Sequence, residues 1–334
     1  MRKKAALGID IGGTKLRIGL VDETLHLLDI FLTEEHRWLT PQELARFLAR
    51  NVEQFVGHYG EFDIIGCGVG YPGPICFPKR ATFSYSNLLN EAWRGVPLAE
   101  MIQEEIGMQV VIDNDANLAG LAEMHLGAGR NFSHAVYMTI STGLGGAIFI
   151  DRKLYRGFLG NAGEFGHMVV DRSGRYCKCG NRGCLMSLLS GLGVEKLIHE
   201  EPSCQFLFSS EEDGSACVKK LMELAIAGNA VVRDVIQPLL EYFALAFLNV
   251  IQILNPEVIV VGGSLGKALV QNFMNPVWEY LRAHLPSEIV DQTRIKEAEL
   301  GDTNGVLGAA ILVFEELKTQ KGGGNGTLSE EQVI

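Results

Sequence analysis

The stretch from Gly163 to Cys184, GEFGHMVVDRSGRYCKCGNRGC, places one histidine, His167, shortly before three cysteines, Cys177, Cys179 and Cys184. Four such donors among glycines are what a closed tetrahedral zinc site requires, and the glycines let backbone wrap tightly round a metal. Three free thiols gathered by chance is the other reading, and the CxCxxxxC spacing with a nearby histidine argues against it. Glu164 stands three residues before His167, so a structural zinc that fixes the imidazole also fixes a face of chain carrying a carboxylate. A metal holding a substrate-binding wall is the chemistry this predicts.

Two further groups of residues could act on a phosphate and an alcohol. Asp10 lies just before Gly12-Gly13, and Thr14-Lys15 just after it. A glycine pair lets N–H groups approach a phosphate, a threonine hydroxyl adds a donor, and an aspartate can hold the accompanying magnesium. Many such hairpins bind nothing, and these residues alone decide neither reading. The pattern is not a Walker loop, which needs GxxxxGK[ST] before a helix. Asp113-Asn114-Asp115-Ala116-Asn117 follows a short apolar run and precedes an alanine- and leucine-rich one. Helix capping explains one of these four polar residues; a carboxylate there could serve as a general base towards an alcohol, and Asp115 is the candidate.

The elements that must position these groups can be read along the chain. Residues 5–21 read as two β-runs hinged at Gly12-Gly13. Thr40-Pro41-Gln42-Glu43 is a capping box opening a helix with a core-facing stripe. A strand over 63–69 ends in Gly70-Tyr71-Pro72-Gly73-Pro74, either a ligand-binding loop or a plain tight connection. Asn87, on the irregular stretch beyond, is a possible hydrogen-bonding residue. The spacing predicts a strand over 109–112 with a helix from 116 to about 126, a strand over 134–140, a glycine-rich turn over 141–146 and a strand over 147–150. The unit of strand, glycine turn and strand therefore occurs twice. The apolar span 239–254 is short of a membrane crossing and carries Glu241, Asn249 and Gln252, so a buried helix is expected, within a long helical region over 229–254.

With 334 residues, two domains are expected. A net charge of −11 argues against a nucleic-acid duplex or an anionic membrane surface as partner, while glycine-rich backbone still permits small anions. Seven cysteines without a secretory framework, and no signal peptide, fit a reducing cytoplasm.

The sequence resembles the ROK family of sugar kinases and repressors to about residue 317, through IDIGGTK at 9–15, GYPGPI at 70–75, DNDAN at 113–117, STGLGGA at 141–147, GNAGEFGH at 160–167 and CKCGNRGC at 177–184. The resemblance implies an actin-like ATPase fold, two ribonuclease-H-like α/β domains with a cleft between them. The smaller domain would span 1–116 and recover a last helix over 304–317, the larger would span 117–303, and 318–334 would be a disordered tail. It implies ATP- and Mg-dependent phosphorylation of a hexose hydroxyl, the primary one, with Asp115 as base and Asn114, Glu164 and His167 on sugar hydroxyls. Gly12, Gly13, Thr14, Thr142 and Gly143 would contact phosphates, Gly262-Gly263 would lie beside adenosine, and the protein would be a homodimer. One position departs from the family: the kinases have a glutamate reaching the sugar where this chain has Met186, so a sugar other than glucose (fructose, allose or an N-acetylhexosamine) or a catalytically weak sensor are the alternatives. Repressor members carry a DNA-binding segment before the IDIGGT strand, and here that strand starts within the first ten residues.

Overall fold

The structure is a computed structural model and describes residues 2–13, 15–35, 39–83, 91–202, 207–208 and 214–321. Two expected site residues, Thr14 and Asn87, lie outside them, as does 322–334. The described chain forms two compact units, one from the described parts of 1–122, 156–162 and 302–334 and one from 123–155 and 163–301.

In the first unit β1 (Lys3–Ile11), β2 (Leu16–Asp22) and β3 (Leu27–Thr33) form an antiparallel meander. β4 (Phe62–Tyr71) lies parallel to β1, a short β5 (Ile75–Cys76) and β6 (Ala81–Thr82) pair apart, and β7 (Val110–Asn114) lies parallel to β4, giving the order β3-β2-β1-β4-β7. In the second unit β8 (Ala135–Ile140), β9 (Leu144–Ile150) and β10 (Lys153–Tyr155) repeat the meander. β11 (Val258–Gly262) lies parallel to β8 and β12 (Arg294–Glu297) parallel to β11, in the order β10-β9-β8-β11-β12. The repeat sensed in the glycine turns is therefore a repeat of whole sheet topology. The strands run further than expected: Gly70 and Tyr71 end β4, Asp113 and Asn114 end β7, and Gly145 and Gly146 lie inside β9. Pairing to a buried neighbouring strand, parallel for β4 and β7 and antiparallel for β9, supplies backbone partners that override the turn preference of glycine and asparagine.

Helices α1 (Pro41–Val56) and α2 (Leu98–Ile106) cover the first sheet, α1 starting at the Thr40 capping box as expected. α3 (Asp115–His125) follows β7 directly. In the second unit the chain passes through α4 (Leu185–Leu189), α5 (Gly191–Glu200), α6 (Gly214–Ile226), α7 (Ala230–Leu254), α8 (Ser264–Asn272), α9 (Met274–His284) and α10 (Ser287–Gln292). α7 spans the long helical region expected over 229–254, with Asn229 as its N-cap, and at 25 residues it is long and apolar enough to cross a membrane by length and composition. Its Val235, Leu239, Phe243 and Phe247 are buried in the core of the second unit, the position of a core helix.

The last helix, α11 (Asn304–Lys321), returns to the first unit and continues past the expected end at Leu317. Most of α3, as far as Ala122, groups with the first unit, whereas the break was expected at Ala116. The reason is backbone-to-backbone packing. A Cβ at Gly8 on β1 would stand 2.0 Å from the Val306 carbonyl oxygen, one at Gly68 on β4 1.9 Å from that of Ala309, and one at Gly308 1.8 Å from that of Leu118. Only glycine lets α11 lie this close to β1, β4 and α3. Gly68→Ala is accordingly expected to lower unfolding free energy in urea by about 2 kcal/mol or more, the size of a severe overpacking effect. Gly60→Ala, where an added Cβ meets nothing within 4 Å, should leave it nearly unchanged.

Candidate active site

β7 carries Asp113 and Asn114 to its end, and Asp115 is the first residue of α3. The Asn114 side-chain oxygen caps α3 by accepting from the N–H of Ala116 at 2.9 Å and of Asn117 at 3.2 Å, and its amide donates to the Gly73 carbonyl at 3.0 Å. Asp113, 1% exposed, accepts from the Asn114 N–H at 2.7 Å, from the Asn117 amide at 2.8 Å and from Arg156 Nε at 2.7 Å. Asp115 Oδ1 accepts from the Ala116 N–H at 2.8 Å, which points a carboxylate at a helix N-terminus where the peptide dipoles favour negative charge. The pentapeptide thus divides its work: Asp113, Asn114 and Asn117 build the junction that holds Asp115. The GYPGPI loop, left open between two readings, supports this junction through Gly73.

The first glycine turn closes with the Gly12 N–H donating to the Lys15 carbonyl at 2.9 Å, and Ile11 opposite Leu16. Lys15 and Gly13 are exposed beside it. Asp10 on β1 faces Arg17 on β2, whose guanidinium lies 3.5 Å from Asp10 Oδ2 and 3.0 Å from Asp302 Oδ2. Burial pushes the Asp10 carboxyl from its ordinary 3.8 up to about 6, Arg17 opposing this and the Asp302 carboxylate adding to it. A carboxylate so placed can receive a cation. Sequence reasoning missed Arg17 and Asp302; their only signal is the hairpin register that sets residue 17 opposite residue 10.

In the second unit Ser141, Thr142 and Gly143 form the tight turn between β8 and β9, the Ser141 N–H donating to the Gly143 carbonyl at 2.9 Å. Gly262 pairs with Thr139, and Ser264 Oγ at the start of α8 lies 3.5 Å from Ser141 Oγ. The structure thus brings Thr142, Gly143, Gly262 and Gly263 to the carboxyl-end edge of neighbouring strands β8 and β11, where open α/β sheets place ligands.

The ligand atoms of His167, Cys177, Cys179 and Cys184 lie within 4.8 Å of one another. His167 Nδ1 is 3.7 Å from Cys177 Sγ, and Cys179 Sγ is 3.6 Å from Cys184 Sγ. A tetrahedron with metal–sulfur bonds of about 2.3 Å has edges of about 3.8 Å, so the donor set fits zinc. Gly183 (φ +76°) lets the loop fold, since a Cβ there would stand 1.5 Å from the Asp171 carbonyl oxygen. His167 Nε2 faces the other way, 3.9 Å from Glu164 Oε2. Burial lowers the His167 pKa and raises that of Glu164, which favours the neutral imidazole that a metal needs. Met186 is turned inward: its sulfur accepts from the Leu144 N–H at 3.2 Å, and its methyl lies against Gly166 between Glu164 and His167.

The ROK family model matches residues 6–316. The chain is 29% identical to a glucokinase of Halalkalibacterium halodurans over 95% of this chain and 97% of that one. It is 29% identical to a xylose repressor of Caldicellulosiruptor bescii, over 76% of this chain and 63% of the repressor. Among solved structures it is similar to a ROK family glucokinase from Streptomyces griseus in complex with glucose and AMPPNP, with a TM-score of 0.77 and 29% identity over 93% of this chain and 99% of that one.

The half-buried Asp10, 17% exposed, sets a pH-dependent test. Its pKa is raised on folding, so the unfolded chain ionises first as pH rises from 3.8, and the folded state is progressively penalised until about 6. Without nucleotide or metal, Asp10→Asn should unfold at a higher temperature than the parent near about pH 7.5, and the difference should vanish towards about pH 4. A variant less stable at both values would show that the Arg17 pairing outweighs burial.

Proposed function

The chain belongs to the ROK family, and we propose that this carbohydrate kinase transfers the γ-phosphoryl group of ATP to a hexose hydroxyl, the 6-hydroxyl of glucose or a related sugar, with Asp115 as general base. The observation that carries this reading is the junction in which Asp113, Asn114 and Asn117 hold a carboxylate at the first turn of α3. Asp115 takes the hydroxyl proton as the oxygen attacks phosphorus. Gly12, Gly13, Thr142 and Gly143 offer backbone N–H groups to the phosphates, and Gly262-Gly263 flank the adenosine. Magnesium bound with ATP supplies charge neutralisation on the phosphates, and Asp10 would hold it directly or through water. Most of the acceleration in such a transfer comes from position, so the groups that fix Asp115 matter as much as its basicity.

His167, Cys177, Cys179 and Cys184 would hold a structural zinc, leaving His167 Nε2 and Glu164 for sugar hydroxyls. The spacing of 3.9 Å between those two atoms suits a single hydroxyl bridging them. Met186 offers sulfur where relatives of this family place a carboxylate, a weak acceptor that takes no charge-assisted bond, so the preferred sugar is one that asks little at that corner. A reducing cytoplasm accords with the six described cysteines, all free thiols, and we assign the enzyme there as a homodimer. The similarity to a xylose repressor favours one second reading, a sugar-binding sensor without turnover.

Coupled ADP release measured over a panel of aldohexoses, ketohexoses and N-acetylhexosamines should give one clear winner, and Asp115→Ala should lose at least about 10²-fold in its turnover. Sugar binding by calorimetry without ADP release on any sugar would replace the kinase reading with the sensor. Elemental analysis should find one zinc per chain, and Cys179→Ser should lose the metal, unfold at lower temperature and bind the sugar more weakly. Full stability with no zinc bound would remove the metal from the account.

A further inference from the structure

Arg156 opens a short excursion, 156–162, in which the chain leaves the second unit after β10 and packs with the first before returning at Gly163. The Phe77 N–H donates to the Leu159 carbonyl at 2.9 Å, the Ala162 N–H closes the loop onto the Arg156 carbonyl at 3.0 Å, and the Arg156 guanidinium carbon lies over the Phe77 ring, 4.0 Å from its centroid. The same guanidinium donates from Nε to Asp113 Oδ2 at 2.7 Å. Asp113 is 1% exposed and Arg156 20% exposed, so a fully buried carboxylate is paired with a half-buried guanidinium.

We propose that Arg156 is a positioning residue for phosphoryl transfer, acting through Asp113 to hold the strand–helix junction that carries Asp115. This rests on the reading of Asp115 as general base. Asp113 Oδ1 holds the Asn114 N–H and the Asn117 amide, which set the last residue of β7 and the first turn of α3 on either side of Asp115. Among the described residues, Arg156 Nε is the group that fixes its second oxygen. The geometry of the bond carries the role as well as the charge: the planar guanidinium fixes where Oδ2 sits and therefore how the other oxygen is aimed. The residue pair is separated by 43 positions, so the tie also couples the base junction to the segment that runs directly on into Gly163-Glu164.

The test measures turnover, the KM for sugar and for ATP, and thermal unfolding for Arg156→Met, Arg156→Lys, Asp115→Asn and the double variant Asp113→Asn with Arg156→Met, on the sugar that wins the panel. Misplacing a reacting group by about 1 Å costs roughly 10²-fold. Arg156→Met should therefore lower kcat by about 30-fold or more, with both KM values within about threefold, and Arg156→Lys should recover only part of it. The double variant removes both charges of the pair and should fold even where the single one does not, yet remain slow because the tie is gone. Wild-type turnover in folded Arg156→Met, or in the double variant, overturns the proposal, the latter showing that Arg156 only compensates a buried charge. Asp115→Asn separates the two readings: if it keeps full turnover the general base is wrong, whereas a dead Asp115→Asn beside an active Arg156→Met removes Arg156 alone.

Discussion

A carboxylate at 1% exposure cannot remain in a protein without partners, and Asp113 has three. Its position dictates much around it. The strand β7 must end where its backbone can offer the Asn114 N–H, α3 must begin where Asn117 reaches back, and an arginine from a distant loop must arrive in the same place. Asn114 then completes the join, with its oxygen on the first turn of α3 and its amide on Gly73. The candidate base sits in the middle of this set of hydrogen bonds, between residues that each have partners of their own.

A second constraint is the glycine contact between backbone layers. Gly8 and Gly68 on adjacent parallel strands accept the carbonyls of α11 at distances no side chain would allow. The contact draws in the C-terminal helix, and Gly308 draws α3 onto the other side of that helix. The segment carrying Asp115 is therefore braced from the strand side by hydrogen bonds and from the helix side by close packing. Asp302, just before α11, reaches Arg17 and so Asp10, which ties the first glycine turn to the same helix.

The two units show one topology applied twice, a meander followed by two parallel strands, with a tight glycine turn between the first two strands of each. The same turn serves different surroundings. In the first unit it lies beside a half-buried acid and a cation; in the second its carbonyls receive the N–H groups of Gly191 and Leu192 at the start of α5. Met186, two residues after Cys184, packs against that second turn, and its methyl lies beside Gly166, next to His167.

The sequence by itself determined the features whose chemistry is local. Cys177, Cys179, Cys184 and His167 gather within a short span, so chain connectivity alone limits how far apart they can be. The capping box at Thr40, the Gly12-Gly13 hairpin and the position of Asp115 at a strand–helix junction are likewise set by neighbours a few residues away. Strand ends were misread at Tyr71, Asn114 and Gly145 because turn-forming residues continue a strand when an adjacent strand pairs them. Only the tertiary structure decided that three of the four polar residues in DNDAN serve the junction, that the start of α3 as far as Ala122 groups with the first unit, and that Arg17 and Arg156 matter. Arg17 meets Asp302 across 285 positions and Arg156 meets Asp113 across 43. No periodicity or spacing encodes such a pairing, because it exists only once separate segments have packed and a buried charge must find its partner.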